Sequence, residues 1–109
     1  MPLKVPQAVA AYLAAEAAKD AEKLALCFAK HGVVHDEGRD HHGRDAIQQW
    51  KEEADTKYQY VLEPLDVSVT GDIVRLRARL TGDFPGSPIE LDHIFTLAND
   101  KIASLEIRS

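Results

Sequence analysis

Between Val74 and Thr81 the chain alternates without a break, with Val74, Leu76, Ala78 and Leu80 on one side and Arg75, Arg77, Arg79 and Thr81 on the other. A period of two belongs to an extended strand, so this segment has to sit in a sheet with one dry face and one charged face. Further strands are expected over Tyr58 to Thr70, Ile89 to Leu97 and Lys101 to Arg108. Pro64 has no amide hydrogen to give to a ladder, so the first of these should bulge there or run along an edge. Asn99-Asp100 marks a tight turn between the last two.

The cover for the dry face comes from the first half, where the period is helical. Pro6 suits the first turn of a helix carrying Val9, Tyr12, Leu13 and many alanines, and Asp20 suits the cap of a second helix with Leu24, Cys27 and Phe28 on one face. That second helix is expected to close near His31-Gly32. A short strand from Val33 to Glu37, a loop from Gly38 to Gly43 and a third helix from about Arg44 to about Ala54 complete the order. Helices followed by an antiparallel meander describe an α+β fold, with the helices packed on the concave side of a curved sheet.

The 109 residues are expected to form one domain with one core and room for one cavity. A net charge of -5, with no basic run beyond the alternating arginines, argues against nucleic acid and anionic membrane as partners. The single cysteine, Cys27, offers no internal disulfide and reads as a structural thiol in a reducing cytosol. Met1-Pro2-Leu3-Lys4 lacks the apolar stretch of a signal peptide, and no run approaches membrane-spanning length, so a cytoplasmic protein is expected.

Chemistry concentrates at Val33-Val34-His35-Asp36 and in the helix start Gly43-Arg44-Asp45-Ala46-Ile47-Gln48-Gln49-Trp50. An inward carboxylate at the end of a covered strand costs several kcal/mol if unpaired, roughly in the range for buried polar groups, so Asp36 is the leading functional residue. The competing role for Asp36 is to brace the following loop through local amides. His35 should point the other way, and His41 and His42 fall in a polar turn without recognisable metal-ligand spacing.

The order of elements, the Val-His-Asp strand end, the Gly-x-x-Ala-Ile-x-x-Trp helix start and the Phe95-Thr96-Leu97 to Asp100-Lys101-Ile102 hairpin resemble the NTF2-like superfamily, in its SnoaL-like and ketosteroid isomerase branches. The resemblance implies a cone-shaped pocket, a homodimer through the outer sheet face, and proton transfer with no metal or organic cofactor. By position it makes Asp36 the general base, Tyr12 an oxyanion donor, and Asp92 of Leu91-Asp92-His93 a protonated second donor. Strand alternation opposes the last match. Leu91, His93, Phe95 and Leu97 form the more apolar side, which favours His93 inward, and a slip of one residue would exchange it for Asp92. An inward His93 would either donate to the oxyanion or pair with Asp36 as an acid/base dyad.

Phe28, Trp50, Leu76, Leu80 and Phe84 are the expected pocket walls, with Tyr58 and Tyr60 at the mouth or in a subunit contact. The leading expectation is thus a small enzyme of the SnoaL-like type, an isomerase, cyclase or dehydratase, acting on an apolar carbonyl-bearing molecule. Its alternative is a non-catalytic binding or dimerisation module on the same fold.

Overall fold

The computed structural model describes residues 4–109; Met1 to Leu3, part of the start read above as lacking a leader, lie outside the described residues. Two helices open the chain, α1 (Gln7–Ala18) and α2 (Ala21–Leu26). Val9, Tyr12, Ala15 and Glu16 form the buried stripe of α1. Lys19 takes the left-handed conformation that ends α1, and the Asp20 carboxylate accepts the Lys23 amide at 3.0 Å to start α2, as its sequence position suggests.

α2 is shorter than its apolar spacing suggests, because Phe28 already belongs to strand β1 (Phe28–Asp36). The Ile102 amide donates to the Cys27 carbonyl at 3.0 Å, drawing the chain out of the helix and into pairing with the last strand, β6 (Lys101–Arg108). Gly32 is therefore not a helix cap. It lies in an irregular stretch of β1 where an added Cβ would meet Phe28 Cβ at 3.0 Å and the Ile102 carbonyl at 3.2 Å.

The expected loop after Asp36 is instead a strand, β2 (Arg39–His42), returning antiparallel with Asp36 opposite Arg39. Glu37 and Gly38 turn the hairpin with φ of 53° and 74°, the handedness that matches strand twist in a two-residue turn. Arg-Asp-His-His carries no apolar alternation, which is why the pairing was invisible in the sequence. The third helix, α3 (Arg44–Lys57), runs one turn beyond the expected end.

Strands β3 (Tyr60–Thr70), β4 (Ile73–Gly82) and β5 (Ile89–Ala98) complete one sheet in the order β2-β1-β6-β5-β4-β3. Among the described residues, only the β1/β6 pairing is parallel. The Pro64 expectation is met in both respects: β3 is the edge strand, and its register shifts between Pro64 and Asp66. The three helices cover one face of this curved sheet. Val9, Tyr12, Leu24, Phe28, Val34 and Ile47 meet Val74, Leu76, Phe95, Ile102 and Leu105 in a common core. Phe28 and Leu76, expected as pocket walls, are completely buried in that core and do not reach the cavity, since their positions fall under the helices rather than beyond them.

One charged group is as buried as any of these. Lys51, one turn after Ile47 on α3, is fully enclosed, and its ammonium lies 2.6 Å from Glu16 Oε2, 2.6 Å from Asp55 Oδ1 and 2.8 Å from the Tyr60 hydroxyl. Three N–H groups meet three oxygens, so the ammonium is completely satisfied. Removing one partner from such a cluster leaves uncompensated buried charge. Lys51→Met is expected to cost about 3 kcal/mol of unfolding free energy in urea titration; a loss below about 1 kcal/mol would show that the cluster is not a structural strut.

Candidate active site

Where the core ends, α1, α3 and the far half of the sheet diverge around a cavity of about 610 Å³. Tyr12 and Glu16 enter it from α1, Asp36 from the end of β1 and Trp50 from α3. Tyr60 and Leu62 of β3, Leu80 of β4, and Leu91 and His93 of β5 form the sheet side. Phe84 closes the mouth edge-on against Tyr58, with ring centroids 5.9 Å apart. The loop carrying Phe84 is pinned at both ends: Asp83 Oδ1 accepts the Gln59 amide at 2.9 Å, and Ser87 Oγ accepts the Gly82 amide at 2.9 Å.

Asp36 lies two residues after the fully buried Val34 and so shares its inward face. Its Oδ2 accepts one hydrogen bond, from Trp50 Nε1 at 3.1 Å. Trp50 is three residues after Ile47, which turns it toward the strand end, and the His41 ring leans on its indole at 6.0 Å. Burial pushes the Asp36 carboxyl above the usual carboxylate range, while the Trp50 N–H, which favours the charged form, limits the rise. The Glu37 amide acts in the same direction as Trp50, and more weakly.

Tyr12 is enclosed edge-on between Phe28 and Phe95, at centroid distances of 6.2 and 5.1 Å. Burial, followed by the Glu16 charge, raises its phenol well above the ordinary value, so it stays protonated and able to donate. His93 stacks on Phe95 at 6.4 Å, and burial pulls its ring down to about 4, with the Glu16 charge opposing. The ring is neutral at neutral pH. His93 and Asp36 do not form a hydrogen-bonded dyad; the carboxylate's partner is Trp50.

Asp92 faces the other way. It pairs across the ladder with Arg77 at 3.0 Å on the outer face of the sheet, where Arg79 meets Glu63 at 3.4 Å and Glu90 at 3.5 Å. The apolar side of β5 went under the helices, as alternation favoured, and carried His93 inward. Of the expected set, then, Asp36, Tyr12, His93, Trp50, Leu80 and Phe84 share the cavity, and Asp92, Phe28 and Leu76 do not. His35 is on the surface and bonds Asp40 Oδ1 through Nδ1 at 2.6 Å. Among the described residues, no group of three or more His, Cys, Asp and Glu side chains is arranged to hold a metal, and no helix is long and apolar enough to cross a membrane.

A sequence model of the SnoaL-like domain matches residues 9–105, a span that contains Tyr12, Asp36, Trp50 and His93. The chain belongs to the SnoaL-like family. A solved structure from Sinorhizobium meliloti, described as a candidate polyketide cyclase, is 41% identical over 95% of each chain, with a TM-score of 0.92. A protein of ketosteroid isomerase-like fold from Catenulispora acidiphila, solved with trimethylamine, has a TM-score of 0.85 at 23% identity, covering 97% of this chain and 87% of its own. An NTF2-like protein from Cytophaga hutchinsonii has a TM-score of 0.78 at 13% identity, covering 98% and 90% respectively. These last two likenesses are of fold. No curated protein matches the chain.

Sequence reasoning passed over Glu16, which lines this SnoaL-like cavity, and Lys51, which binds the Glu16 carboxylate. The signal was present: Glu16 is four residues after Tyr12 and Lys51 four after Ile47, so each puts a charge on the buried stripe of its helix.

The neutral His93 has a measurable consequence. The unfolded chain takes up a proton on this ring near pH 6.5 and the folded chain only near 4. Between those values the unfolded state binds more protons, so stability from this group is full above the window and is lost as pH falls through it. The loss should reach at most about 3 kcal/mol. Urea titrations at pH 7 and pH 5 are expected to show a steeper decline for the wild type than for His93→Phe; equal declines would mean that the ring is not held neutral.

Proposed function

We propose that this SnoaL-like chain is a cytosolic enzyme that moves a proton next to a carbonyl on an apolar small molecule, using its own side chains as base and hydrogen-bond donor. The observation that carries this reading is the state of Asp36: a carboxylate in a mostly apolar cavity, raised by burial, whose side-chain partner is the Trp50 indole N–H and on which the Glu37 amide acts more weakly. A structural Asp would be tied by local amides and held low.

In this reading Asp36 takes the proton from the carbon beside the carbonyl, and the electron pair of that C–H bond forms an enolate. The Tyr12 hydroxyl donates to the enolate oxygen as its charge develops. Asp36 then returns the proton to another carbon, which is isomerisation, or the enolate carbon bonds to a second carbonyl carbon of the same molecule, whose oxygen takes the C=O electron pair and then the proton held by Asp36, which is cyclisation. The second course agrees with the description of the Sinorhizobium meliloti relative. Trp50 tempers the shift at Asp36, since its N–H favours the charged form of the base against the pull of burial.

A homodimer through the outer sheet face belongs to the same proposal. Arginines and carboxylates alternate there, as in the Arg77–Asp92 and Arg79–Glu90 pairs, so the face is complementary to a copy of itself. Sedimentation is expected to give a dimer that weakens as salt rises; a monomer at high protein concentration would remove this part.

Exchange of the hydrogens beside the carbonyl of β-tetralone in deuterated water, followed by proton NMR, tests the chemistry. Wild-type protein is expected to accelerate exchange, with Asp36→Asn losing about 10²-fold or more and Tyr12→Phe about 10²-fold. Because burial disfavours the Asp36 charge, Asp36→Asn should also raise the unfolding midpoint at pH 7, with the gain vanishing at acid pH where the wild-type carboxyl is protonated. Exchange at the buffer rate by protein that binds β-tetralone would make the chain a binding module instead.

A further inference from the structure

Two buried side-chain atoms in the described residues lack any hydrogen-bond partner, Glu16 Oε1 and His93 Nδ1. Both side chains line the same cavity, and the residues are only 4% and 2% exposed. Buried polar atoms are seldom left unpaired, because each forfeits its bonds to water with nothing in return. Neither atom can easily turn away. The Glu16 carboxylate is anchored through its other oxygen to Lys51 at 2.6 Å, and the His93 ring is stacked on Phe95. Lys19 lies 3.5 Å from Glu16 Oε1, close enough to balance charge but not aligned as a hydrogen bond. Glu16 is also the strongest charge acting on the His93 ring, and both side chains face the same cavity.

We propose that Glu16 and His93 form a subsite for a hydroxyl group of the ligand, so that the cavity selects hydroxylated apolar ring compounds over bare ones. The proposal rests on the reading of the cavity as a small-molecule site and adds a second anchor to it, separate from Asp36. The two atoms define the group they need. An ionised Glu oxygen only accepts, and a neutral imidazole carries one N–H. In the tautomer that carries its proton on Nδ1, His93 donates to the hydroxyl oxygen while the hydroxyl donates its hydrogen to Glu16 Oε1, satisfying both atoms through a single oxygen. A ligand carboxylate would meet the Glu16 charge. An ammonium would meet Lys51 and Lys19, which already balance Glu16 and Asp55.

The test compares two forms of β-tetralone, one with a hydroxyl and one with a methoxy group on the aromatic ring far from the carbonyl. Affinities are measured by titration calorimetry on wild type, Glu16→Gln and His93→Phe. The wild type is expected to prefer the hydroxyl form by about tenfold or more, as for a hydrogen bond to a charged group. Either substitution should reduce that preference to about twofold. If Glu16→Gln fails to fold, because Glu16 also holds Lys51, His93→Phe decides alone. Equal binding of the two compounds by wild type, or a preference that survives substitution, overturns the subsite and leaves the Asp36 reading intact where exchange persists. Binding of neither compound overturns the subsite together with the small-molecule reading of the cavity.

Discussion

The buried ammonium of Lys51 is the point on which the rest of this structure depends. It joins α3, which carries it and Asp55, to α1 through Glu16 and to the edge strand β3 through Tyr60. Apolar contacts would tolerate small slides of a helix over a sheet, but three short bonds to one nitrogen do not. The cluster lies where the apolar core gives way to the cavity, and two of its members, Glu16 and Tyr60, are also cavity walls. A buried ion cluster seldom exceeds an apolar one in stability. Here it gives the helices a definite position while leaving open the space that apolar side chains would otherwise fill.

That open space governs the chemistry of the groups facing it. Burial acts on Asp36 and His93 in opposite directions, raising the acid and lowering the base, and in each case it favours the uncharged form. The two are not paired with each other, so neither cancels the other's shift. The Trp50 N–H opposes the shift at Asp36, and His93 remains a neutral ring at neutral pH. Tyr12, deeper still, cannot ionise and serves only as a donor. A single cavity thus holds a carboxyl, a phenol and an imidazole among apolar walls from Leu62, Leu80 and Leu91. The outer sheet face has the opposite character. Its arginines and carboxylates sit in water, where pairing is worth little for stability and more for how one surface meets another.

Much of this was legible in the chain alone, for reasons that can be given residue by residue. The alternation from Val74 to Thr81 and the apolar side of Leu91 to Leu97 favoured one orientation from sequence, since burial must fall on one face and strand geometry has a period of two, though only the observed register closes off a slip of one residue at Leu91 to Leu97. Those constraints turned His93 inward and Asp92 outward, and Pro64 announced its own bulge on an edge. Asp36 followed from its place two residues beyond Val34, and the SnoaL-like family from the order of these signals. Three things were decided only by tertiary structure. Phe28 left the helix for a strand because β6, about seventy residues later in the chain, supplied pairing partners that local spacing cannot reveal. Phe28 and Leu76 became core rather than pocket because the helices stop short of covering the whole sheet, and where they stop is set by packing. Lys51 and Glu16, each an ordinary surface residue by type, became a buried pair because two helical stripes far apart in sequence face each other, and only their meeting supplies the opposite charge that makes burial of either one possible.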